Sequence, residues 1–269
     1  MKIYKTLTIA GFDGSGGAGI QADLKTFSAL GCYAATALTA LPIQNSMGVR
    51  GVYEIPASAV EEQIRAVLDD MEIDAIKIGM LHRQEIALSV ARTLSDYPVS
   101  NIVLDPVMVA KSGDLLLLPE AIEEMKKTLF PMADVITPNL LEASRLLGRN
   151  IKIKEEMERA AADLLELGPK AVLLKGGHLK ESSDDCLYLG NEDFHWFSTP
   201  KIATRNTHGT GCTLSAAIAA FLARGESLYH ATLKAKEYLT SSIAAWAQGS
   251  VGRGNGPVHH FHRIWEGIH

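Results

Sequence analysis

The 269-residue sequence contains little cysteine, no long apolar run and no excess of positive charge. Its three cysteines, Cys32, Cys186 and Cys212, are far apart, so they form no zinc-ligand pattern and predict no disulfide framework. Free thiols suit a reducing compartment, and we therefore expect a cytoplasmic protein. No stretch approaches the ~18 uninterrupted apolar residues of a membrane span, and the apolar run at 6–10 is too short for a signal peptide. The sequence thus predicts no membrane partner.

The formal net charge of -5 predicts no general polyanion-binding surface and hence no nucleic-acid partner. An anionic ligand would have to be bound by local features, such as a helix N-terminus, a few lysines or a metal ion. Apolar residues make up 47% of the chain, which is enough for a large core and argues against disorder. No Pro/Ser-rich linker, charge block or internal repeat divides the chain, so we interpret residues 1–269 as a single domain.

Short β-rich apolar runs alternate with longer helical patterns. This order predicts an α/β fold in which a central, mostly parallel sheet is covered by helices on both faces. The predicted strands are at 6–10, 33–41, 49–54, 75–78, 101–104, 134–137, 171–174, 187–189 and 194–197, and the predicted helices are at about 18–30, 57–71, 83–95, 140–147, 154–167, 210–223 and 228–247. Ligands bind such sheets beyond the carboxyl ends of the strands, so we expect functional residues directly after each strand.

The first Gly-rich segment, residues 14–19, fits the dinucleotide-binding pattern G-x-G-x-x-G between a predicted strand and a predicted helix. The acidic residue that binds the ribose in that fold should follow the next strand, but Leu, Pro, Ile and Gln occupy 41–44. We therefore favour a flexible loop that closes on a small substrate over a dinucleotide site or a plain strand-to-helix turn. The sequence has no G-x-x-x-x-G-K-[ST] pattern, which excludes a P-loop enzyme.

A second Gly-rich segment, residues 207–213, precedes an apolar helical pattern. Gly209 and Gly211 leave backbone N–H groups accessible at the helix start, and the helix dipole adds partial positive charge there. Such a site binds an anion without a basic side chain. Cys212 lies in this segment, where a helix N-terminus favours the thiolate and would let it accept a proton from a substrate hydroxyl. The alternative is a small residue that packs at a tight helix start.

Residues 209–212, Gly-Thr-Gly-Cys, resemble the G-[AT]-G-[DC] signature of the ribokinase-like superfamily. Residues 10–26 resemble the opening of the hydroxymethylpyrimidine/phosphomethylpyrimidine kinases, and further matches follow in order at 44–46, 77–80, 104–108, 136–143, 175–178 and 256–261. The resemblance covers nearly the whole chain and implies a ribokinase-like three-layer sandwich. It departs at Phe12 and Gly14, where the family commonly has Ser, and at Ile78, where it often has Thr; these departures concern the shape of the pocket.

This resemblance implies that ATP, with Mg²⁺, phosphorylates 4-amino-5-hydroxymethyl-2-methylpyrimidine and then its monophosphate, in thiamin biosynthesis. It also implies a two-fold homodimer. The closest alternative is a pyridoxine or pyridoxal kinase of vitamin B6 salvage, because some of these share the cysteine signature and pyridoxine also carries a ring CH₂OH group. Another alternative is a non-catalytic pyrimidine-binding sensor, against which the joint presence of Asn139, Glu142, Lys175 and Cys212 argues.

The resemblance further implies roles for the phosphate-binding residues. Those expected at the transferred phosphoryl group and the reacting hydroxyl are Gly209, Thr210, Gly211, Cys212 and Lys175, with Cys212 as the proton acceptor. Those expected at ATP are Asn139, Lys175, Gly211, Asp105 and Lys236. Glu142 would place Mg²⁺ against the triphosphate, and Asp105 would support the same metal or Lys175. Glu142 and Lys236 also have structural interpretations, as a carboxylate at a helix start and as a lysine on a solvated helix face.

For the pyrimidine, the resemblance places Asp23 and Gln44 in the pocket. A carboxylate and an amide can bond the amino group and the ring nitrogens of an aminopyrimidine. Gly11, Met80 and Val107 would form the pocket walls. His208 is interpreted as a structural residue.

Overall fold

A computed structural model describes residues 2–109, 116–177, 179, 182–249 and 251–265. His178, which belongs to one of the matched segments, lies outside the described residues. The strands are β1 (Tyr4–Ala10), β2 (Cys32–Leu38), β3 (Ala40–Asn45), β4 (Gly48–Glu54), β5 (Ala75–Ile78), β6 (Ile102–Leu104), β7 (Val135–Ile136), β8 (Val172–Leu174), β9 (Asp185–Tyr188) and β10 (Phe194–Phe197). The α-helices are α1 (Gly19–Ala29), α2 (Ala57–Leu68), α3 (Gln84–Ser95), α4 (Pro119–Thr128), α5 (Leu140–Leu147), α6 (Met157–Leu165), α7 (Thr210–Ala223) and α8 (Leu228–Ala245).

The central sheet has the strand order β10-β9-β8-β7-β6-β5-β1-β2. The strands from β8 to β2 in this order pair in parallel, whereas β9 and β10 pair antiparallel. This arrangement confirms the predicted, mostly parallel sheet. The predicted strand at 33–41 is wrong in one respect, because the chain leaves the sheet after Leu38 and forms a separate hairpin from β3 and β4. Thr39 fixes this departure, since its backbone N–H donates to Ala10 O at 3.0 Å and its hydroxyl donates to Met80 O at 2.6 Å.

Helices cover both faces of the sheet and bury two apolar cores. Helices α1, α7 and α8 pack on one face, where α7 is apolar on all sides and nearly every residue from Thr213 to Ala223 is buried. Helices α2 to α6 pack on the other face. The ribokinase-like three-layer arrangement predicted from the sequence is therefore confirmed. Within the described residues, none of the helices combines the length and the apolar character that a membrane crossing requires.

Helix α4 was not among the predicted elements. It begins at Pro119, a residue that suits the first helical position because its fixed φ matches the helix and its missing N–H is not needed there. Five of its ten residues are Glu or Lys, and Ala121 and Met125 alone are buried. Such a narrow apolar stripe gives a weak periodic signal in the sequence.

The carboxyl ends of the parallel strands meet at one edge of the sheet, as expected. The residues that follow them are Gly11 after β1, Gly79 after β5, Asp105 after β6, Thr137 after β7 and Lys175 after β8. Because these strands are neighbours in the sheet, residues far apart in the sequence converge there.

The loop between β1 and α1 is organised by the buried carboxylate of Asp13. Its Oδ1 accepts from the backbone N–H and hydroxyl of Ser15 at 3.0 and 2.7 Å, and its Oδ2 accepts from the N–H groups of Gly17 and Ala18 at 3.0 and 2.7 Å. Oδ2 also lies 2.7 Å from His208 Nε2. Burial opposes ionisation, but the bonds from His208 and Ser15 outweigh it and lower the pKa of Asp13 to about 2. The predicted flexible loop is thus held by side-chain bonds.

Asp13→Asn should destabilise the protein above pH 4. An acid whose pKa is lower in the folded state contributes stability above its unfolded pKa, and this contribution disappears as the pH falls through the folded value. The shift corresponds to about 2 kcal/mol, so the free energies of unfolding of variant and wild type should differ by at least that amount at pH 7 and converge between pH ~4 and ~2. Urea titrations at several pH values measure this difference.

The matched control is Asp193→Asn, because Asp193 forms an Asp–His pair with His195 at 2.9 Å while remaining 54% exposed. We expect little change in the free energy of unfolding for this variant, as for most exposed pairs. A difference between Asp13→Asn and wild type that stays constant from pH 7 to pH 2 would contradict the assignment.

Candidate active site

Two adjoining cavities lie at the carboxyl edge of the sheet, with volumes of about 380 and 210 Å³. We call them the inner and the outer cavity, respectively. The two cavities share five of their lining residues: Asn139, Lys175, Thr207, Thr210 and Gly211. The wall that the cavities share therefore includes the start of α7 and the end of β8.

The start of α7 is built on a residue that must be glycine. Gly209 is the N-cap and has a left-handed backbone, with φ of 74°. A Cβ at this position would lie 1.7 Å from the carbonyl oxygen of Gly17, so the two Gly-rich segments touch through their backbones. At Gly211 a Cβ would lie 3.2 Å from Lys175 Nζ. The absence of side chains at both positions leaves the first-turn N–H groups of α7 facing the cavities, where they can bind an anion.

Lys175 points its ammonium group into the shared wall. Its Nζ donates to Asp105 Oδ1 at 2.8 Å, and the same oxygen accepts from the Thr137 hydroxyl at 3.1 Å. Burial opposes charge on Lys175, but Asp105 and Glu142 outweigh it and raise its pKa. The sequence suggests two roles for Asp105, support of a metal ion and support of Lys175. The structure contains the contact with Lys175.

Asn139 and Glu142 form the first turn of α5 together. The Asn139 side chain accepts from the N–H groups of Leu141 and Glu142 at 2.9 and 3.0 Å, and Glu142 Oε2 accepts from Asn139 N–H at 2.7 Å. This is a capping box, so the structural interpretation of Glu142 holds. Glu142 also lines the inner cavity, where burial raises its pKa to about 7.

Cys212 lines the inner cavity on the first turn of α7. Its thiol does not have a lowered pKa. Burial raises the pKa to about 11, an effect larger than the lowering caused by the nearby Lys77 ammonium. The thiol is therefore protonated at neutral pH. Loss of hydration at Cys212 therefore outweighs the partial charge of the helix N-terminus, which by itself favours the thiolate.

The residues expected at the pyrimidine, Asp23 excepted, also line the inner cavity: Gly11, Gln44, Met80 and Val107. Gln44 projects from β3, and its amide nitrogen lies 3.4 Å from the carbonyl oxygen of Phe12. A Cβ at Gly11 would meet the Met80 sulfur at 3.0 Å, so glycine there preserves the cavity wall. These four residues line the inner cavity only, and none of them lines the outer cavity.

Asp23 does not line either cavity. Its side chain has no exposed surface, and Oδ2 accepts from the Thr8 hydroxyl at 2.6 Å and from Lys77 Nζ at 2.8 Å. The expectation of direct substrate contact is therefore corrected: α1 is buried against the sheet, and Lys77 stands between Asp23 and the inner cavity. The sequence predicts no role for Lys77, because the pattern of a buried strand does not show which way a lysine side chain within it points.

Lys236 lines the outer cavity. It is buried, and its ammonium group donates to Asp185 Oδ2 at 2.7 Å and to Ser183 O at 2.5 Å. The interpretation of Lys236 as a lysine on a solvated helix face is excluded by these contacts. The remainder of the outer cavity includes apolar side chains from α7 and α8, such as Leu214 and Leu239.

Two departures from the resembled family, Phe12 and Gly14, lie next to one another in the structure. Phe12 lines the inner cavity, and a Cβ at Gly14 would lie 3.2 Å from the Phe12 ring. The larger side chain at position 12 thus coincides with the loss of the side chain at position 14. Ile78, the third departure, is fully buried in β5.

The carboxylates of the inner cavity fit a magnesium ion that takes most of its ligands from phosphate and water. Within the described residues there is no group of three or more His, Cys, Asp or Glu side chains able to hold a metal ion. Glu142 and Asp105 nevertheless both line the inner cavity, and Mg²⁺ in phosphoryl-transfer sites commonly uses one or two carboxylates together with phosphate oxygens. The donor set is therefore suitable for Mg²⁺ bound with a nucleotide.

Alkylation of Cys212 by iodoacetamide should be slow at pH 7 and should accelerate about tenfold per pH unit up to pH ~10, because the thiolate is the reacting form. At pH 7 the rate should be about a hundredfold below that of a free thiol of pKa ~8.5. Mass spectrometry measures the rate, and Cys212→Ala assigns the signal. A rate that reaches its plateau near pH 8 would contradict the raised pKa.

Comparison with known proteins identifies the family. The sequence model described as phosphomethylpyrimidine kinase matches residues 13–259. The chain is 49% identical to the hydroxymethylpyrimidine/phosphomethylpyrimidine kinase of Escherichia coli (strain K12), across 98% of this chain and all of that protein. Among solved structures, phosphomethylpyrimidine kinase from Clostridium difficile 630 superposes with a TM-score of 0.79 and 44% identity, over 90% of this chain and all of that chain.

A second solved structure is the pyridoxal kinase from Staphylococcus aureus in complex with AMP-PCP and pyridoxal. It superposes with a TM-score of 0.88 and 36% identity, over 98% of this chain and 96% of that chain. The fold is thus shared with kinases that act on either ring. The family match, together with the near-complete coverage of the Escherichia coli enzyme, shows that the chain belongs to the phosphomethylpyrimidine kinase family.

Proposed function

We propose that this protein is an ATP-dependent kinase that phosphorylates 4-amino-5-hydroxymethyl-2-methylpyrimidine and then its monophosphate, in thiamin biosynthesis. The observation that carries the proposal is the pair of cavities that meet at the start of α7 and at Lys175. The inner cavity, with Gln44, Met80 and Val107, binds the acceptor. The outer cavity, with Lys236 and its apolar walls, binds the nucleotide. The terminal phosphoryl group then lies at the shared wall.

The shared wall supplies what phosphoryl transfer requires. The transition state is loose and carries its charge on the oxygens of the transferred group, so the protein acts mainly by positioning and by electrostatic stabilisation. The N–H groups around Gly209, Thr210 and Gly211 and the ammonium of Lys175 would stabilise that charge. Asp105 holds Lys175 in place through the 2.8 Å bond. When bound, Mg²⁺ would neutralise triphosphate charge, with Glu142 and Asn139 on the adjacent first turn of α5.

The two transfers make different demands on Cys212. In the first transfer a hydroxyl oxygen forms a bond to the γ-phosphorus, the bond to the β,γ-bridging oxygen breaks, and the hydroxyl proton must leave. Cys212 is the proposed acceptor of that proton in its thiolate form, so the thiol must first lose its own proton to solvent. In the second transfer an oxygen of the substrate phosphate attacks, and this oxygen is already ionised near pH 7. The second transfer therefore needs no proton acceptor.

Several further features belong to this proposal. Residues 1–269 act as one kinase domain in the cytoplasm, and two copies form a two-fold dimer, as the family resemblance implies. Asp23 acts on the inner cavity through Lys77, to which it is bonded at 2.8 Å. Pyridoxal kinase activity is the competing function, supported by the likeness to the Staphylococcus aureus enzyme.

A substrate panel tests the proposal. The values of kcat/KM for hydroxymethylpyrimidine, its monophosphate and pyridoxine should follow a clear order, with both pyrimidines above pyridoxine. Pyridoxine lacks the ring amine, and a partner such as Gln44 that the bound ligand buries without a hydrogen bond costs about 1–3 kcal/mol, or about fivefold to a hundredfold in kcat/KM. Gln44→Ala should lower kcat/KM mainly for the two pyrimidines. The ratio of their kcat/KM values to that of pyridoxine should therefore become smaller.

The panel also has two clear negative outcomes. A higher kcat/KM for pyridoxine than for hydroxymethylpyrimidine would indicate that the enzyme acts in vitamin B6 salvage. A monophosphate that does not react would remove the second transfer, even where the first transfer is observed. Product masses distinguish these results.

Cys212→Ala should affect the two transfers unequally. Loss of a general base costs about a hundredfold or more in rate, and only the alcohol acceptor has a proton to lose. We therefore expect kcat to fall at least a hundredfold with hydroxymethylpyrimidine and less than about tenfold with the monophosphate. Wild-type kcat/KM for the alcohol should also rise with pH between 6 and 9, as the thiolate fraction increases. Equal losses with both acceptors would remove Cys212 as the base.

A further inference from the structure

Three lysines line the two cavities, and each is bonded to its own aspartate; Lys77 and Lys236 are buried and Lys175 is partly buried. Lys77 lines the inner cavity, Lys175 lines both cavities and Lys236 lines the outer cavity. Their ammonium groups lie 2.8, 2.8 and 2.7 Å from carboxylate oxygens of Asp23, Asp105 and Asp185, respectively. The mechanism described above uses Lys175 and Lys236 for the nucleotide. Lys77 links Asp23 to the inner cavity, and its ammonium group is the most deeply buried of the three.

The Lys77 side chain runs along β5 towards the carboxyl edge of the sheet. Its Nζ lies over Gly79, 2.7 Å from the position that a Cβ of that residue would occupy, so the ammonium group reaches the cavity floor because residue 79 has no side chain. The bond to Asp23 uses one of the three N–H donors that an ammonium group carries. The Asp23 carboxylate opposes the effect of burial and raises the pKa of Lys77, so Lys77 stays charged at neutral pH.

Stability alone is a weak explanation for this pair. A buried ion pair loses hydration that its mutual attraction often fails to recover, and an apolar pair of similar volume is frequently as stable. The pair is also incompletely bonded, since Asp23 Oδ1 is buried and has no hydrogen-bond partner among the described residues. An ammonium group kept charged on the floor of a ligand cavity is therefore better explained by a ligand that it binds.

We propose that Lys77 binds the phosphate of the monophosphate acceptor and so determines that the second transfer can occur. This inference rests on the proposed two-step function. The monophosphate brings a charge of about -1.5 to -2 into the inner cavity at pH 7, whereas the alcohol is uncharged at that position. Lys175 lies at the shared wall with the triphosphate, and Asp105 and Glu142 add negative charge nearby. Lys77 is a cation on the acceptor side of that wall, where Arg145 also lines the inner cavity.

The Lys77 ammonium group has no bond to make or break in this role. During the second transfer an acceptor phosphate oxygen forms the new bond to the γ-phosphorus, the β,γ-bridging bond breaks, and ADP leaves with its electron pair. Lys77 donates N–H bonds to the remaining oxygens of the acceptor phosphate and reduces the repulsion between two phosphate groups. Lys77 thus distinguishes two acceptors that share the same ring.

The test compares acceptors in Lys77→Met, which keeps the length of the side chain and removes its charge. We expect kcat/KM for the monophosphate to fall about tenfold to a hundredfold. We expect kcat/KM for hydroxymethylpyrimidine to fall less, and only because loss of the Lys77 charge raises the pKa of Cys212 further. Cys212→Ala should show the opposite preference. Lys77→Arg, which keeps the charge, should recover part of the monophosphate reaction.

A second variant tests whether misfolding, rather than loss of the ammonium group, lowers the activity. Lys77→Met alone leaves the Asp23 charge buried without a partner, so Asp23→Asn/Lys77→Met restores neutrality without restoring the ammonium group. This double variant should fold and still discriminate against the monophosphate. The matched control is Lys170→Met, which removes the lysine of an exposed 2.8 Å pair with Asp134 and should change neither acceptor's kcat/KM.

The outcomes separate the two proposals. If the wild-type enzyme does not phosphorylate the monophosphate, the two-step function fails, and the role of Lys77 fails with it. If the wild type performs both transfers but Lys77→Met lowers them equally, the role of Lys77 is wrong and the two-step function stands. Full monophosphate activity in the double variant would likewise show that Lys77 serves only as the counter-ion of Asp23.

Discussion

The two Gly-rich segments of this chain are joined by the carboxylate of Asp13, and the geometry of the candidate site depends on that junction. The carboxylate orders the β1–α1 loop through four hydrogen bonds and reaches across to His208, the residue before the N-cap of α7. Gly209 then packs against Gly17 O so closely that a Cβ would not fit. The anion-binding turn is therefore fixed by contacts with a loop that lies almost 200 residues earlier in the sequence, and a rigid support of this kind is what electrostatic stabilisation of a transition state requires.

An acidic protein that binds two phosphorylated molecules must provide positive charge locally, because its surface as a whole repels anions. The structure does so with three Lys–Asp pairs and one helix start. Each aspartate fixes the position of its lysine and offsets part of its charge. Asp23 and Asp105 also raise the pKa of Lys77 and Lys175 against the effect of burial. The pairs differ in their surroundings, since Lys77–Asp23 is wholly buried while Lys175 retains a little exposure beside Gly211. Position along the cavities, rather than total charge, then determines which phosphate each lysine can reach.

The sequence predicted the sheet, the edge at which the site forms and most of the residues there, because these follow from periodicity and from motifs that lie just after strands. It predicted β5, β10, α5 and α7 over nearly their full lengths. The sequence-based predictions were wrong where tertiary contacts determine the path of the chain or the direction of a side chain. The hairpin of β3 and β4 leaves the sheet through two bonds of Thr39, and α4 has too few apolar residues to give a clear pattern. Asp23 was expected in the pocket and lies behind Lys77, since a motif match carries no information about which of two neighbouring side chains faces the ligand.

The pKa of Cys212 shows why sequence reasoning about reactivity is less reliable than reasoning about position. The sequence reveals the helix start, which favours a thiolate, but not the depth of the inner cavity, which disfavours it. With a pKa of about 11 the thiol is a strong base once ionised and is rarely ionised at neutral pH. The first transfer therefore depends on the small fraction of Cys212 that is ionised, and the loose transition state keeps the demand on that base small. The thiol is also uncharged in the resting state, so it does not repel an acceptor phosphate in the second transfer. A permanently ionised carboxylate at the same position would assist the alcohol and hinder the phosphate, whereas a thiol accommodates both.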